Sequence, residues 1–356
     1  MNVTPERTTA PADQPEVEPA RINWLIRLLR GCIRVALWFL ILIAGLWSVL
    51  ALYYSNLPKT LRMPAAVLFV VAAVVVLFFV KRLRLYRRLL FFGLVATVVV
   101  YWLLIPASND RAWRKDVAVL PHADINGNLV TLHNIRDFDY RTTSDFDVHY
   151  YDKTFDLDKL RTVDFLMSFW APMPFCHTMV SFGFEGGDHL CVSIETRPTE
   201  NQGYSPLAAC FKQFELVYVA ADERDVIRLR TNFRGEHVYL YRLNAKADVT
   251  RNVFLDYLKA VNSLRVRPEW YNALTGNCTS TIRGHTQPYT GNTSWSWKLV
   301  INGYIDELAY DKGALYNALP FSELKRLSLI NDRAKAADKD PDFSKRIREG
   351  LPGISP

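Results

Sequence analysis

The chain has 356 residues, of which 50% are hydrophobic and 22% charged, and its formal net charge is +7. An excess of cations can indicate nucleic-acid binding, but nine of these cations flank long apolar runs, where they determine membrane topology instead. We therefore predict no nucleic-acid partner.

The first residues differ in composition from all that follow. Residues 1–20 are rich in Pro, Glu and Thr and poor in apolar side chains, so they cannot bury enough surface to become ordered. Arg21, Arg27 and Arg30 follow directly and add positive charge. We predict that residues 1–30 form a disordered cytoplasmic tail with a basic flank.

Three uncharged or nearly uncharged apolar runs follow, at residues 31–54, 64–80 and 89–106. Each is long enough to cross the roughly 30 Å of hydrocarbon in a bilayer. A cleaved signal peptide is the alternative for the first run, but its apolar core is too long and no small-residue cleavage pattern follows it. The sequence thus predicts a membrane anchor of three transmembrane helices over residues 31–106.

The cations in the short loops predict the orientation of this anchor. The segment KRLRLYRR, residues 81–88, carries five cations, whereas the loop at residues 55–63 carries only Lys59 and Arg62. Because Lys and Arg near a span are retained in the cytoplasm, the N-terminus and the second loop are predicted to lie inside. Residues 107–356 are then a periplasmic domain of a multi-pass protein in a bacterial inner membrane.

The outer domain first shows strand patterns and then helical ones. Apolar residues from Val253 to Leu264 recur at helical spacing after Thr250, a candidate N-cap, and shorter helical patterns follow at 299–308 and 322–330. These patterns predict an α+β domain, an antiparallel sheet packed with helices. The predicted strands are 129–135, 163–169, 178–184, 190–196, 216–220, 226–230 and 238–243.

Two features of the outer domain have simple interpretations. The run DERDVIRLRTNFRGE, which starts at Asp222, is most simply a strand with solvated charged flanks; anionic headgroups or a partner are the alternative. Four of the five cysteines lie in this domain without a CxxC pair, which argues against a zinc knuckle. An oxidising periplasm permits disulfides among these four, but the sequence does not indicate a pairing.

The segment FCHTMVSFGFEGGDHLCVSIETR predicts a hairpin with a turn at Gly186-Gly187. Strand alternation places His177 and Glu195 on the same side of this hairpin, away from its aliphatic face. A carboxylate beside an imidazole can hold the ring in one tautomer, as a general base requires.

The segment WYNALTGNCTSTI places Cys278 after a turn and at the start of a helical run. A helix N-terminus lowers a cysteine pKa and offers backbone N–H groups to an oxyanion. The hypothesis is that Cys278 is a nucleophile, His177 its base and Glu195 the group that orients the base. We assign oxyanion or supporting roles to four further residues: Ser193, Arg197, Tyr271 and Asn277.

Other interpretations of these residues remain open. Cys278 could form a disulfide, His177 could be a surface or satisfied core residue, and Glu195 could pair with Arg197 or another cation on the sheet. A metal site built from His177, His189 and Glu195 is a further alternative, but no HExxH or comparable spacing is present. We predict no metal and no cofactor.

The motifs resemble the Lnb N-terminal periplasmic domain family. The matching stretches are RDFDYRTTSDFDVHYYDKTFDLDKL, HTMVSFGFEGGDHLCVSIETR, YVAADERDVIRLRTNFR and WYNALTGNCTSTI, which together cover most of residues 113–310. The resemblance implies a circularly permuted papain-like thiol fold, in which the histidine precedes the cysteine, as His177 precedes Cys278. It also implies lipoprotein N-acyltransferase activity, with a phospholipid acyl chain passed through a cysteine thioester to the N-terminal amine of a lipoprotein.

We therefore expect a membrane-anchored cysteine acyltransferase or hydrolase with an acyl thioester on Cys278 and a phospholipid or lipoprotein substrate. Two alternatives remain: a cysteine peptidase or amidase acting on peptide or cell-wall amides, and a non-enzymatic periplasmic binding module.

Overall fold

The computed structural model describes residues 19–81, 83–170, 174–291 and 296–354. The chain divides into two compact units, Met1–Tyr53 with Leu57–Leu104, and Tyr54–Asn56 with Ile105–Pro356. Of the predicted disordered tail and basic flank at residues 1–30, residues 1–18 lie outside the described residues, whereas the residues from Pro19 onward belong to a helix.

The first unit consists of three apolar helices, α1 (Pro19–Tyr53), α2 (Lys59–Val74) and α3 (Arg84–Leu103). A π-helical turn, Val75–Phe79, extends α2. By length and composition, the segments Ile26–Tyr53, Lys59–Phe79 and Arg84–Leu103 could each cross a membrane. The three predicted spans are therefore confirmed as helices, with Pro64 tolerated inside α2.

The second unit is built on an eight-stranded sheet of order β1-β2-β9-β8-β7-β6-β10, with β5 paired to β2; β3 and β4 form a separate pair. The sheet is mixed, because β2 and β9 run parallel, so the prediction of a wholly antiparallel sheet was wrong at this junction. The strands are β1 (His122–Asn126), β2 (Leu129–Arg136), β3 (Asp139–Tyr140), β4 (Phe146–Asp147), β5 (Tyr150–Asp156), β6 (Leu160–Phe169), β7 (His177–Phe184), β8 (His189–Arg197), β9 (Glu215–Ala221) and β10 (His237–Arg242).

Helices pack on both faces of this sheet, which confirms the α+β class. The long helix α5 starts four residues after the isolated bridge residue Leu243, and its N-cap is Lys246 rather than the predicted Thr250, which is buried inside the helix. The helices are α4 (Glu223–Arg228), α5 (Ala247–Val266), α6 (Cys278–Thr290), α7 (Ile305–Asp311), α8 (Phe321–Leu327), α9 (Asn331–Ala336) and α10 (Phe343–Arg346).

The two faces of the sheet differ in chemistry. The face covered by α5 and α6, here called the aliphatic face, buries apolar side chains alternating along β7 and β8, which include Val180, Phe182, Val192 and Ile194. The face covered by α4, α9 and α10, here called the charged face, also buries ionised side chains. Its charged members are Asp164, Glu223, Asp225, Arg230, Glu236 and Arg348.

The prediction of a strand at 226–230 was wrong, since these residues belong to α4 and to the π-helical turn Leu229–Phe233. Their charges are not solvated either. Asp225 accepts two hydrogen bonds of 2.8 Å from Arg136, and both side chains are buried. The charged residues of this segment form buried ion pairs. A local sequence pattern cannot distinguish such a segment from a strand with one solvent-exposed face.

All five cysteines, each within the described part of the chain, are free thiols. Cys176, Cys191 and Cys278 are buried, whereas Cys210 is partly exposed and Cys32 lies exposed on α1. The structure thus contains none of the disulfides that a periplasmic location would permit.

Candidate thiol site

The thiol of Cys278 sits on the first residue of α6 because the sequence before it forms a complete helix cap. The side chain of Asn277 accepts a hydrogen bond from the backbone N–H of Ser280 at 2.9 Å. The hydroxyl of Ser280 in turn accepts from the backbone N–H of Asn277 at 3.0 Å. This reciprocal capping box fixes the start of the helix and confirms the predicted helix N-terminus at Cys278.

His177 and Glu195 lie side by side because of the register of the β7–β8 hairpin. Met179 pairs with Ser193, so continuing the antiparallel ladder by two residues places His177 opposite Glu195. Gly186 and Gly187 form the connecting turn, and both have a φ of +95°, which glycine adopts without strain. The predicted hairpin and its two faces are confirmed.

The imidazole of His177 is the main group that lowers the pKa of the Cys278 thiol, by its charge and by hydrogen bonding. Burial by itself would raise the pKa of this thiol, but the effect of His177, together with hydrogen bonds from Thr178, outweighs it and lowers the pKa to about 6. A thiol with this pKa is mostly thiolate at neutral pH. Since only 5% of Cys278 is exposed, the sulfur is a buried thiol rather than a surface thiol.

A relay of polar side chains leads away from His177 along the charged face. His177 Nε2 lies 2.7 Å from Ser193 Oγ, and that hydroxyl donates to Glu195 Oε1 at 2.7 Å. Glu195 Oε1 itself is 3.9 Å from His177 Nε2, so the carboxylate acts on the ring through Ser193 and by charge. Because Nε2 faces Ser193, Nδ1 is the ring nitrogen left for the thiol.

Arg230 holds the far end of this relay. Its guanidinium donates to Glu195 at 2.9 Å and to Glu236 at 3.2 Å. Burial would raise the pKa of Glu195, but the charges of Arg230 and His177 outweigh it and hold the pKa well below its usual range. Glu195 is therefore ionised at any physiological pH, and it can only accept the Ser193 proton.

Two of the four residues predicted to have oxyanion or supporting roles, Tyr271 and Asn277, lie next to Cys278. The hydroxyl of Tyr271 hydrogen-bonds to the backbone of Cys278, and burial raises the pKa of this tyrosine, so it stays protonated. The side-chain nitrogen of Asn277 donates to the carbonyl of Ala273 at 3.1 Å, while its oxygen caps α6. Tyr271 thus borders the place where an oxyanion would form, and Asn277 shapes it through the cap.

The structure does not bring Arg197 to the site. It lies on the same side of β8 as Ser193 and Glu195, but its nitrogens are bonded elsewhere. They donate to the carbonyls of Val117 and Ala118 and to the side chain of Asn109. Strand alternation predicts the correct face, but the donors of Arg197 are engaged away from the thiol, and its supporting role stays a prediction.

A family model for the Lnb N-terminal periplasmic domain matches residues 146–303. The matched residues, fewer than half of the chain, are similar to this family. This confirms the family indicated by the motifs, over a shorter range than the predicted 113–310, and the match contains His177, Glu195 and Cys278. No curated protein and no solved structure matches the chain.

Within the matched residues 146–303, sequence reasoning missed residues that contact the site. Arg230 was assigned to a strand, although its partners Glu195 and Glu236 are separated from it by 35 and 6 residues. Thr178, which hydrogen-bonds to the Cys278 thiol, was assigned only to the aliphatic face. The alternation of β7 and β8 pointed to His177 and Glu195, but no local signal pointed to Arg230.

The geometry does not favour the metal site considered from the sequence. His189 begins β8 and pairs with Gly183, six residues along β7 from His177, or about 20 Å at strand spacing. Its Nδ1 lies 2.9 Å from the carbonyl of Gly187 in the hairpin turn. In the described parts of the chain, no three His, Cys, Asp or Glu side chains are grouped to hold a metal ion.

Proposed function

We propose that the protein is a membrane-anchored periplasmic cysteine acyltransferase or hydrolase that forms an acyl thioester on Cys278. The observation that carries the proposal is a buried thiol at a helix N-terminus beside His177, with a pKa lowered to about 6. Thiol enzymes activate their nucleophile by this combination of a lowered pKa and an adjacent base.

In the first step, the Cys278 thiolate attacks the carbonyl carbon of an acyl ester. A C–S bond forms, the ester C–O bond breaks, and the departing alkoxide takes a proton from the imidazolium of His177. In the second step, an amine, or water in a hydrolase, attacks the thioester and gives a proton to His177. The C–S bond then breaks and the thiolate of Cys278 is regenerated.

The surrounding residues have roles in both steps. The proposed donors to the oxyanion of the tetrahedral intermediate are the backbone N–H of Cys278 and the hydroxyl of Tyr271. Ser193 and Glu195 orient His177 and stabilise its positively charged form. Asn277 contributes by fixing the helix start.

The anchor suits a lipid or lipoprotein substrate. The proposed topology has residues 1–30 in the cytoplasm, residues 31–106 crossing a bacterial inner membrane three times, and residues 107–356 in the periplasm. A domain held at the bilayer meets lipid-borne substrates at high effective concentration. We therefore propose a phospholipid as acyl donor and the N-terminal amine of a lipoprotein as one candidate acceptor.

The test is intact-protein mass spectrometry of the full chain in mixed micelles of detergent and phosphatidylethanolamine. We expect one added acyl chain on the wild type that hydroxylamine removes, and no adduct on Cys278→Ala. Cys210→Ala is the matched control, because it removes a partly exposed thiol of the same unit, and it should acylate like the wild type. Hydroxylamine-sensitive acylation that persists in Cys278→Ala would contradict the proposal, as would its absence from all three proteins.

A further inference from the structure

The buried side chain of Asn302 connects the segment before His177 to the helix that carries Cys278. Its Oδ1 accepts from the backbone N–H of Cys176 at 3.1 Å, and its Nδ2 donates to the carbonyl of Cys176 at 2.8 Å. The same Nδ2 donates to Thr279 Oγ1 at 2.9 Å. Cys176 directly precedes His177, and Thr279 directly follows Cys278, so one amide joins both segments.

The contacts with Cys176 fix which way this amide points. A backbone N–H can only donate, so the atom facing it must be the amide oxygen, and the atom facing the carbonyl must be the amide nitrogen. Nδ2 therefore donates to Thr279, and the hydroxyl of Thr279 must direct its own proton elsewhere. Thr178 Oγ1 lies 3.3 Å away and Cys278 Sγ lies 4.0 Å away, so either acceptor brings that proton toward the thiol.

Thr178 completes the chain of hydrogen bonds. When its oxygen accepts from Thr279, its proton is left for another acceptor near the sulfur. Hydrogen bonding from the hydroxyl and the backbone N–H of Thr178 is among the causes that lower the pKa of the Cys278 thiol. Donors aimed at a sulfur stabilise its ionised form over its protonated form.

We propose that Asn302 is a positioning residue that sets the direction of a hydrogen-bond chain, from Asn302 through Thr279 and Thr178, which ends with a donor on the Cys278 sulfur. This inference deepens the proposed function and rests on it. It identifies a second source of thiolate stabilisation, which lies on the aliphatic side of the sheet and is separate from the relay behind His177 on the charged side.

Other titratable groups around the sulfur are unchanged in the Asn302, Thr178 and Thr279 variants. They come from the strand that carries the base, from α5, and from the loops on either side. These groups are His177, Tyr257, Tyr204, Tyr271 and Cys176.

The experiment measures alkylation of Cys278 by iodoacetamide as a function of pH. The full-length protein is used in detergent, and the Cys278 peptide is quantified by mass spectrometry, so the other thiols do not interfere. We expect a midpoint near the pKa of about 6 in the wild type. In Asn302→Ala and in Thr178→Val the midpoint should rise by about one pH unit, which reduces alkylation about tenfold one unit below the wild-type midpoint. Thr178→Ser keeps the donor and should behave like the wild type.

The matched control is Asn262→Ala. Asn262 binds one backbone residue in the same bidentate manner, since it accepts from the N–H of Ala123 at 2.8 Å and donates to its carbonyl at 2.7 Å. It joins α5 to β1 and makes no bond to the site, so its removal should leave the pH profile unchanged. The double variant Asn302→Ala/Thr178→Val should shift no further than either single variant, because both changes break one chain.

The outcomes separate this inference from the proposed function. If His177→Ala leaves the midpoint unchanged, the thiol and imidazole do not interact, and the proposed function fails. If His177→Ala and Thr178→Val raise the midpoint but folded Asn302→Ala does not, only the role of Asn302 is overturned. Should Asn302→Ala not fold, Thr279→Val removes the middle hydroxyl with little change in shape, and an unchanged midpoint there overturns the chain.

Discussion

The two faces of the central sheet belong to the same strands but are stabilised by different interactions. On the aliphatic face, Phe182, Phe184 and Phe254 pack ring against ring, with centroids 4.9 Å and 5.7 Å from Phe254. On the charged face, Arg348 donates to Glu223 and Asp164, which are 125 and 184 residues away in the chain. The first face depends on area and fit, and the second on the completeness of its ion pairs.

This difference bears on the site, because the site lies where the two faces meet. Cys278 belongs to the aliphatic cluster, whereas Ser193 and Glu195 continue the charged network. His177, the first residue of β7, contacts both. The aliphatic face thus buries the thiol, and the charged face supplies the charges that act on it through His177.

The largest expected effect is on the aliphatic face. Phe254→Ala removes a ring that is 0% exposed, and we expect the free energy of unfolding of the second unit to fall by about 4 kcal/mol. No titrating group is removed, so this loss should not depend on pH. Urea unfolding of the full chain in detergent, followed by near-UV circular dichroism, measures it, with the exposed Lys259→Ala on the same helix as control.

The charged face should lose slightly less stability, but in a pH-dependent manner. Arg348→Met leaves Glu223 without its cation, and we expect a loss of about 3 kcal/mol at neutral pH. Burial would raise the pKa of Glu223, but Arg348 outweighs it and lowers the pKa to about 2 from the ordinary 4.5. A lowered pKa means that the stabilisation is present above about 4.5 and is lost as the pH falls through about 2.

The difference between wild type and Arg348→Met should therefore shrink as the pH falls below about 4.5, the ordinary pKa of Glu223. Unfolding at a series of pH values tests this. Arg346→Met is the matched control, because Arg346 pairs with Asp340 and Glu349 at the surface, and its loss should change the stability far less than the loss of Arg348. A loss in Arg348→Met that stays constant with pH would show that packing, not charge, holds this face.

The aliphatic face could be predicted from the sequence because its information is local. Alternation in β7 and β8 gives the buried residues, and the Gly186-Gly187 turn gives their register. The same logic predicted the helix start at Cys278, since its cap lies within three residues. These elements depend on neighbours in the chain.

The charged face could not be predicted because its pairs form between distant segments. Arg230 and Arg348 each donate to carboxylates that no sequence spacing connects to them. The sequence pattern of 226–230 therefore predicts a strand with a solvated face, whereas the structure has a helix there. Asn302 poses the same difficulty, since its partner Cys176 is 126 residues away. Sequence reasoning thus predicted the candidate nucleophile and base and missed most of the residues that contact them.

A smaller effect is expected where the charged face meets the thiol. Glu195→Gln removes the negative charge that stabilises the His177 imidazolium through Ser193, so we expect the Cys278 alkylation midpoint to rise and the rate just below it to fall about tenfold. Glu185→Gln is the control, because Glu185 lies at the turn of the same hairpin and pairs only with Arg161 at the surface. An unchanged midpoint in Glu195→Gln would show that the charged face does not influence the ionisation of the Cys278 thiol.

The smallest effect is expected at the thiol itself when Arg197 is replaced, although this residue shares a strand face with Ser193 and Glu195. Arg197→Met loses the hydrogen bonds to Val117 and Ala118, so the free energy of unfolding should fall by about 1 kcal/mol. The alkylation midpoint of Cys278 should stay at the wild-type value, because the guanidinium faces the segment before β1 rather than the site. A midpoint that moves as far as in Glu195→Gln would restore the supporting role that strand alternation assigns to Arg197, and would extend the reach of the charged face along the whole of β8.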